Sequence, residues 1–462
     1  MLEVISYFTE SIDLSNHPIK FEKPQLKSKY YSILCYVTDF VLNEAYIHYI
    51  QAGNDGTRFI QIRSYILARL AVYKQQLSIK TTDDTWREKN FAFIKYRIRV
   101  LKEIYQYSLL DDVALILFEE VFVKEALTLL KDALTIKKDA FSKFSLSLLG
   151  SKRIRPYCRF IPVLRLTEQY QKNCAFTSPA MRKIVVTANM SAGKSTFINA
   201  LIGKQLAKTS QQACTGNICY FYNKPFEDHT VSLKTSSLHL NATLEEIKGY
   251  DWEGPISMAA YFSGTLPSNT PFCIIDTPGV NASQHQEHLE ITKNEIEKGD
   301  YDLLIYLLNM TQLGTTDDGA YLEYIAKTVD HEKIIFVLNK VDNLITEDES
   351  LDHIIQNQIA FLNTKGFEEP QILPVSSKTA FLAKKGLQQP LNRIEHRTLS
   401  ADQDKFETID LASYYEQVLG YQLTNVREDE THILLRNCGF TYVEHFLALL
   451  TNGGNHHDTS LR

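Results

Sequence analysis

Four short segments carry side chains that together could hold a nucleoside triphosphate. In "ANMSAGKS", residues 188–195, small residues precede a lysine and a hydroxyl, as in a phosphate loop of the form G-x-x-x-x-G-K-[ST], with Ala188 in place of the first glycine. Ala192 and Gly193 let backbone N–H groups approach phosphate oxygens, and the helix that follows adds the positive end of its dipole. Lys194 places a cation on the β- and γ-phosphates. The Ser195 hydroxyl suits Mg²⁺, with Thr196 beside it among the nucleotide-binding candidates. The extra methyl of Ala188 is accommodated if φ stays negative there.

The other three segments follow in order. "CIIDTPGV" places Asp276 at the end of a buried strand, where it can hold Mg²⁺ through water, and Gly279 where its N–H can meet the γ-phosphate. "IIFVLNKVD" ends a later strand with Asn339, Lys340 and Asp342. An aspartate there accepts from both N1–H and the exocyclic amine of guanine, donors that adenine lacks on that edge, so the motif selects GTP over ATP. "ILPVSSK" supplies Ser376, Ser377 and Lys378, whose backbone can meet the guanine carbonyl while Lys378 covers the ring. Any one of these segments could arise by chance; four in order, each at a strand's end, point to a guanine-nucleotide site.

For hydrolysis the candidates are Ser191, Lys194, Thr215 and Gly279, and for the metal Ser195, Thr215 and Asp276. Thr215, twenty residues after Ser195, could close over Mg²⁺ and the attacking water, or it could be a surface residue entering the strand "NICYFY"; Thr209 and Ser210 compete for the role. Val280 stands where many small GTPases place a water-orienting glutamine. Ser191 either helps hold a monovalent cation beside the phosphates or is a plain loop serine. His285 and His288 could be metal ligands, although a solvated polar segment is the better reading.

These segments need strands to carry them. Short apolar runs ("KIVVTA", "PFCIID", "DLLIYLLN", "KIIFVLNK", "PQILPVSS") alternate with stretches long enough for helices, which predicts a mostly parallel sheet with helices on both faces. Before them, no glycine or proline occurs between Thr57 and Leu149, and apolar residues recur at helical spacing: Phe59, Ile62, Ile66, Leu70 and Tyr73; Ile94, Ile98, Leu101 and Tyr105; Leu110, Val113, Leu117 and Val121. Together with the earlier run "YYSILCYVTDFVLNEAYIHYI", residues 30–50, that pattern predicts four or five amphipathic helices. The expected organisation is an all-α helical bundle over residues 1–178, an α/β P-loop GTPase domain over 179–452 and a disordered tail over 453–462. Residues 137–165 carry eight Lys or Arg against Asp139 alone, either a lipid-surface patch or, preferably, a helix end and basic linker.

Composition narrows the function classes. At 462 residues, 44% hydrophobic and 23% charged, the chain suits a globular protein of two or three domains. A net charge of -6 without a basic run gives no support to nucleic-acid binding. Seven cysteines lie scattered without a C-x-x-C pair, so neither a disulfide frame nor a zinc site is expected. With no apolar run of about 18 residues and an acidic N-terminus, the expectation is a cytoplasmic protein whose membrane contact is peripheral.

"SAGKSTFINALIG", the Thr215 spacing, "DTPG", "NKVD" and "LLIYLLNMTQLGTTDDG" resemble the GTPase domain of the dynamin superfamily, bacterial dynamin-like proteins in particular, over residues 180–452. "LLRNCGFTYVEHFLALL" is similar to that domain's last helix. The resemblance implies GTP hydrolysis without an external activating protein, accelerated as two GTPase domains dimerise across their nucleotides, with movement of a helical stalk and self-assembly on membranes. It also implies a place for Ser191 in a cation site and for Asp317 near the dimer partner. Ala188 and Met190 stand where dynamins proper have Gly and Gln. Ten residues follow position 452, so the bundle is expected to supply the whole stalk or a second dynamin-like chain to complete it. Two other readings stay open: a regulatory GTP switch whose bundle binds a protein partner, and a nucleotide-binding subunit with little hydrolysis.

Overall fold

The computed structural model describes residues 8–51, 56–82, 90–149, 158–189, 191–208, 217–249, 254–263, 270–279, 286–311, 316–344, 350–409, 411–421, 423 and 429–451. The chain divides into two compact units, one of residues 1–179 with 225–232 and 236–241, the other of 180–224, 233–235 and 242–462. The two short pieces after residue 224 therefore cluster with the helical unit, although the sequence places them inside the second domain. The expected tail, 453–462, lies outside the described residues.

In the first unit the described residues form seven α-helices: α1 (Pro24–Gln51), α2 (Gly56–Gln76), α3 (Phe91–Arg99), α4 (Glu103–Leu117), α5 (Glu120–Lys131), α6 (Lys138–Leu149) and α7 (Ile161–Thr177). Six of them lie up to Leu149, where four or five are expected, because between Thr57 and Leu149 the chain breaks helices without glycine or proline. After Leu117, Phe118 takes left-handed backbone (φ 45°) and its N–H returns to the Ala114 carbonyl. A non-glycine residue there costs about 1–2 kcal/mol. Packing holds it: the Arg69 guanidinium stands 4.3 Å from the Phe118 ring centroid, bonded to the Leu115 carbonyl and to Glu10. The break also turns Val121 outward, 62% exposed, instead of continuing the stripe of Leu110, Val113 and Leu117. In the basic stretch, α6 spends Phe141, Phe144 and Leu148 on burial; its linker, 150–157, lies outside the described residues.

Helix α4 is buried from Tyr105 to Leu117 on all sides, so its polar side chains must find partners inside. Asp112 accepts from the hydroxyls of Tyr30 and Tyr73 and from His17 Nε2; His17 Nδ1 accepts the Ile19 N–H, which leaves the ring hydrogen on Nε2. Among the described residues Asp111 accepts only from Thr167 on Oδ1, and its Oδ2 has no partner. Burial pushes the Asp111 carboxyl well above the usual carboxylate range. Residues 11–14 run through this unit outside any helix or strand. The side-chain amides of Asn173, Gln169 and Gln76 bond their backbone as a neighbouring strand would.

The sheet has nine strands among the described residues: β1 (Arg182–Ala188), β2 (Cys219–Asn223), β3 (Val231–Lys234), β4 (Leu238–Ala242), β5 (Ile256–Ala260), β6 (Phe272–Asp276), β7 (Leu303–Asn309), β8 (Ile334–Asn339) and β9 (Ile372–Val375); β1, β6, β7, β8 and β9 form on the five apolar runs and β2 on "NICYFY", whereas β3, β4 and β5 come in addition. Their order in the sheet is β4-β3-β5-β2-β6-β1-β7-β8-β9, with parts of β3 and β4 counted in the first unit. Every residue of β6, β7, β8 and β9 is buried, as strands covered on both faces must be. The covering helices are α8 (Lys194–Ile202), α9 (Leu244–Gly249), α10 (Gln286–Glu297), α11 (Thr316–Thr328), α12 (Leu351–Thr364), α13 (Ser377–Gln388), α14 (Arg393–Thr408), α15 (Leu411–Gln417), α16 (Glu430–Asn437) and α17 (Phe440–Thr451).

Register decides what meets at the sheet's edge. Strands β6, β1, β7, β8 and β9 are parallel, with Val186 opposite Asp276, Ala188 opposite Leu307, Asn309 opposite Asn339 and Asn339 opposite Val375. Their C-terminal ends thus share one rim. Strand β2 runs antiparallel to β6, and Cys219 at its start lies opposite Asp276, so the segment leading into β2 arrives at the same rim. Among the described residues no helix is long and apolar enough to cross a membrane.

Candidate functional site at the C-terminal rim of the sheet

Ala188 ends β1 in extended backbone, fully buried, which meets the condition on which it can replace glycine. Among the described loop residues, Ser191 (φ 64°) and Gly193 (φ 86°) take left-handed backbone. Gly193 is required twice over, by its φ and because a Cβ would stand 2.5 Å from Asn339 Nδ2. Two asparagines at strand ends brace the loop. Asn309 Nδ2 donates to the Ser191 carbonyl at 3.3 Å and Asn339 Nδ2 to the Ala192 carbonyl at 2.8 Å.

Lys194 forms an ion pair with Asp276 across the rim; both side chains are nearly buried. Burial pushes the Asp276 carboxyl above its ordinary range, and the Lys194 charge pulls against that shift. Ser195 and Thr196, half-buried, follow on the first turn of α8, and Gly279 is half-buried beyond β6. Thr215, its competitors Thr209 and Ser210, and Val280 and His285 lie outside the described residues; Asp317 falls on α11, where its side chain is not described. His288 is on α10, and among the described residues no cluster of His, Cys, Asp and Glu gathers to hold a metal.

The β8 and β9 ends form a second hydrogen-bonded group. Asp342 Oδ1 accepts from Ser376 Oγ at 2.7 Å, and its Oδ2 lies 3.4 Å from Lys378 Nζ. Asn339 Oδ1 accepts the Ser377 N–H at 3.1 Å, so one side-chain amide joins the phosphate loop to the start of α13. Lys340 takes left-handed backbone, and burial pushes its ammonium below the ordinary range despite Asp342 nearby. Among the described residues the Ser377 hydroxyl is sealed from solvent and has no partner.

Several residues that support this group carry no motif. Lys405 of α14 donates to the Asp342 carbonyl, and Asp402 of α14 accepts from Thr379 while lying 3.6 Å from Lys378. Cys438, after α16, accepts the Ser376 N–H at 3.1 Å, and Tyr415 donates to the Pro374 carbonyl. Only Asn309 had a legible signal, an amide at a strand's C-terminal end.

Residues 184–341 match the family model described as the dynamin family. An uncharacterised protein in the xynA 3′ region of a Caldicellulosiruptor species is 28% identical over 229 residues, 47% of this chain and 53% of the relative. A probable transmembrane GTPase, FZO-like and chloroplastic, of Arabidopsis thaliana is 27% identical over 205 residues, 44% of this chain and 20% of the relative. The chain thus spans about half the length, or less, of these curated relatives. The solved structure of an oligomerised bacterial dynamin pair is 17% identical, covers 92% of this chain and 62% of that one, and has a TM-score of 0.36.

Proposed function

We propose that the protein, whose residues 184–341 match the dynamin-family model, binds GTP along the rim where β1, β6, β8 and β9 end and hydrolyses it to GDP and phosphate. One observation carries the reading. The side-chain amide of Asn339 ties the phosphate loop, through Ala192, to the base-facing turn, through Ser377, so the two halves of a nucleotide site are one hydrogen-bonded unit. In this reading Ala192, Gly193, Lys194, Ser195 and Thr196 meet the phosphates. Asn339, Lys340, Asp342, Ser376, Ser377 and Lys378 frame the base.

The donor set fits Mg²⁺, which prefers oxygen: the Ser195 hydroxyl and the buried Asp276 carboxylate would hold it, with Thr215 as third candidate. When bound, the ion supplies neutralisation of charge on the phosphate oxygens. The chain's own share is positioning. Lys194 orients the phosphates, Gly279 offers a backbone N–H, Thr215 aligns water, and Ser191 either helps hold a monovalent cation or only shapes the loop.

Hydrolysis is coupled, in this proposal, to pairing of two GTPase domains and to movement of the helical unit, in the cytoplasm with peripheral membrane contact; a second dynamin-like chain completes the stalk. The name of the Arabidopsis relative, a transmembrane GTPase, supports a membrane setting. The test is GTP turnover per molecule against protein concentration, with and without anionic liposomes. A steep rise with concentration is the expected result; flat, slow turnover would refute the coupling and favour a regulatory switch, and absent turnover would refute the enzyme.

A further inference from the structure

Two nearly buried carboxylates face one ammonium beside the ends of β8 and β9. Asp342 is 9% exposed and Asp402, on α14, 7%. Lys378 Nζ stands 3.4 Å from Asp342 Oδ2 and 3.6 Å from Asp402 Oδ2, and among the described residues it is the one ammonium that pairs with either side chain. A buried carboxylate needs a counter-charge or hydrogen-bond donors, so the two compete for Lys378. They also compete for hydrogens. Ser376 Oγ donates to Asp342 Oδ1 at 2.7 Å, Thr379 Oγ1 donates to Asp402 Oδ2 at 2.8 Å, and the two hydroxyl oxygens lie 2.8 Å apart. Two hydroxyl hydrogens thus serve three contacts, and a donor gained at one carboxylate releases a donor toward the other.

We propose that Asp402 is a positioning residue for base recognition: it takes over Lys378 when guanine occupies Asp342, and so keeps the lysine beside the base. The proposal rests on the guanine-nucleotide reading above and deepens it. Guanine brings N1–H and its exocyclic amine to Asp342. Those two donors replace the ammonium there, and the half-exposed Lys378 side chain has room to shift. Asp402 is then its remaining partner. Held by Asp402, the ammonium neither competes with the base for Asp342 nor leaves the ring that Lys378 covers. Without Asp402, Lys378 would pair with Asp342 alone, and guanine would have to break that pair with nothing to receive the lysine.

The test is a double-mutant cycle read as GDP dissociation constants on the full chain. Asp402→Asn removes the charge yet keeps an acceptor for Thr379, and Lys378→Met removes the ammonium. With Lys378 present, Asp402→Asn should weaken GDP binding about threefold, a size set by a half-exposed partner. In the Lys378→Met background the same substitution should change nothing. Asp402→Ser, which leaves a hydroxyl beside Thr379, takes its place in the cycle if the amide is not accommodated. Equal losses in both backgrounds would mean that Asp402 supports only the packing of α14 and would overturn the assignment, as would no loss where Lys378 is present. Wild-type protein that binds neither GDP nor GTP would instead overturn the guanine reading on which it rests.

Discussion

Lys384, midway along α13, is almost fully buried, and so is its partner Glu444 on α17. Nζ lies 2.5 Å from Glu444 Oε1, donates to the Ala200 carbonyl of α8 at 2.7 Å and stands 4.9 Å from the Phe440 ring centroid. Three helices, among them the one that begins with Lys194, are thus pinned by a single ammonium. Removing one member of such a pair strands a buried charge, at a cost of about 3–5 kcal/mol, whereas replacing both by apolar residues is often near neutral. Glu444→Gln and Lys384→Met should each fall in that range, while Lys384→Met/Glu444→Leu should return to within about 1 kcal/mol of wild type. For a unit of this size the single variants should melt about 6–20 °C lower. Calorimetry on the full chain reads this out from the transition that added GDP shifts upward, since ligand binding marks the unit holding the site. Single variants that melt within about 2 °C of wild type, or a double variant as unstable as the sum of the singles, would refute the argument.

Asp111 predicts a pH dependence in the helical unit. Burial raises the pKa of its carboxyl well above the ordinary aspartate value of 3.8, so the folded state keeps a proton that the unfolded chain has lost. Its contribution is full below pH 3.8 and is lost as pH rises toward the folded pKa, by up to about 1.4 kcal/mol per pH unit. Asp111→Asn should remove that slope, as urea unfolding at several pH values would reveal; an unchanged slope would exclude Asp111 as its source. In the phosphate loop, Gly193→Ala must place a methyl in left-handed backbone and within 2.5 Å of Asn339 Nδ2. GDP affinity should fall by about tenfold or more in titration; unchanged affinity would mean that the loop does not carry the phosphates.

The sheet was readable because strands covered on both faces appear as unbroken apolar runs; β6 and β8 end in candidate site residues, Asp276 and Asn339, and β1 and β9 end just before others. Strand β3 escaped because it is four residues long, β4 because it is mostly half-exposed and alternates weakly as "LHLNA", and β5 because "ISMAA" carries no run of large apolar residues. The helix count in the first unit came out low for a different reason: Phe118 makes its turn through tertiary packing with Arg69, and no local residue preference announces it. At the site, the motif residues were legible but their bonds were not. Asn339 spends its amide on the protein's own backbone, and Lys405, Asp402 and Cys438 reach the base-facing turn from ordinary stretches of sequence.

The ion pair between Lys194 and Asp276 makes two prospective ligands depend on each other. A phosphate group that draws Lys194 to itself leaves Asp276 as a lone carboxylate in a buried setting, which a divalent cation would relieve. A cation that engages Asp276 releases Lys194 for an anion. Each arrival therefore strengthens the other, and thermodynamic reciprocity requires the factor to be the same in both directions. In the proposed site, free magnesium or a nucleotide stripped of its metal would displace the pair less readily than the two together, so the protein would respond to the metal–nucleotide complex as a single signal.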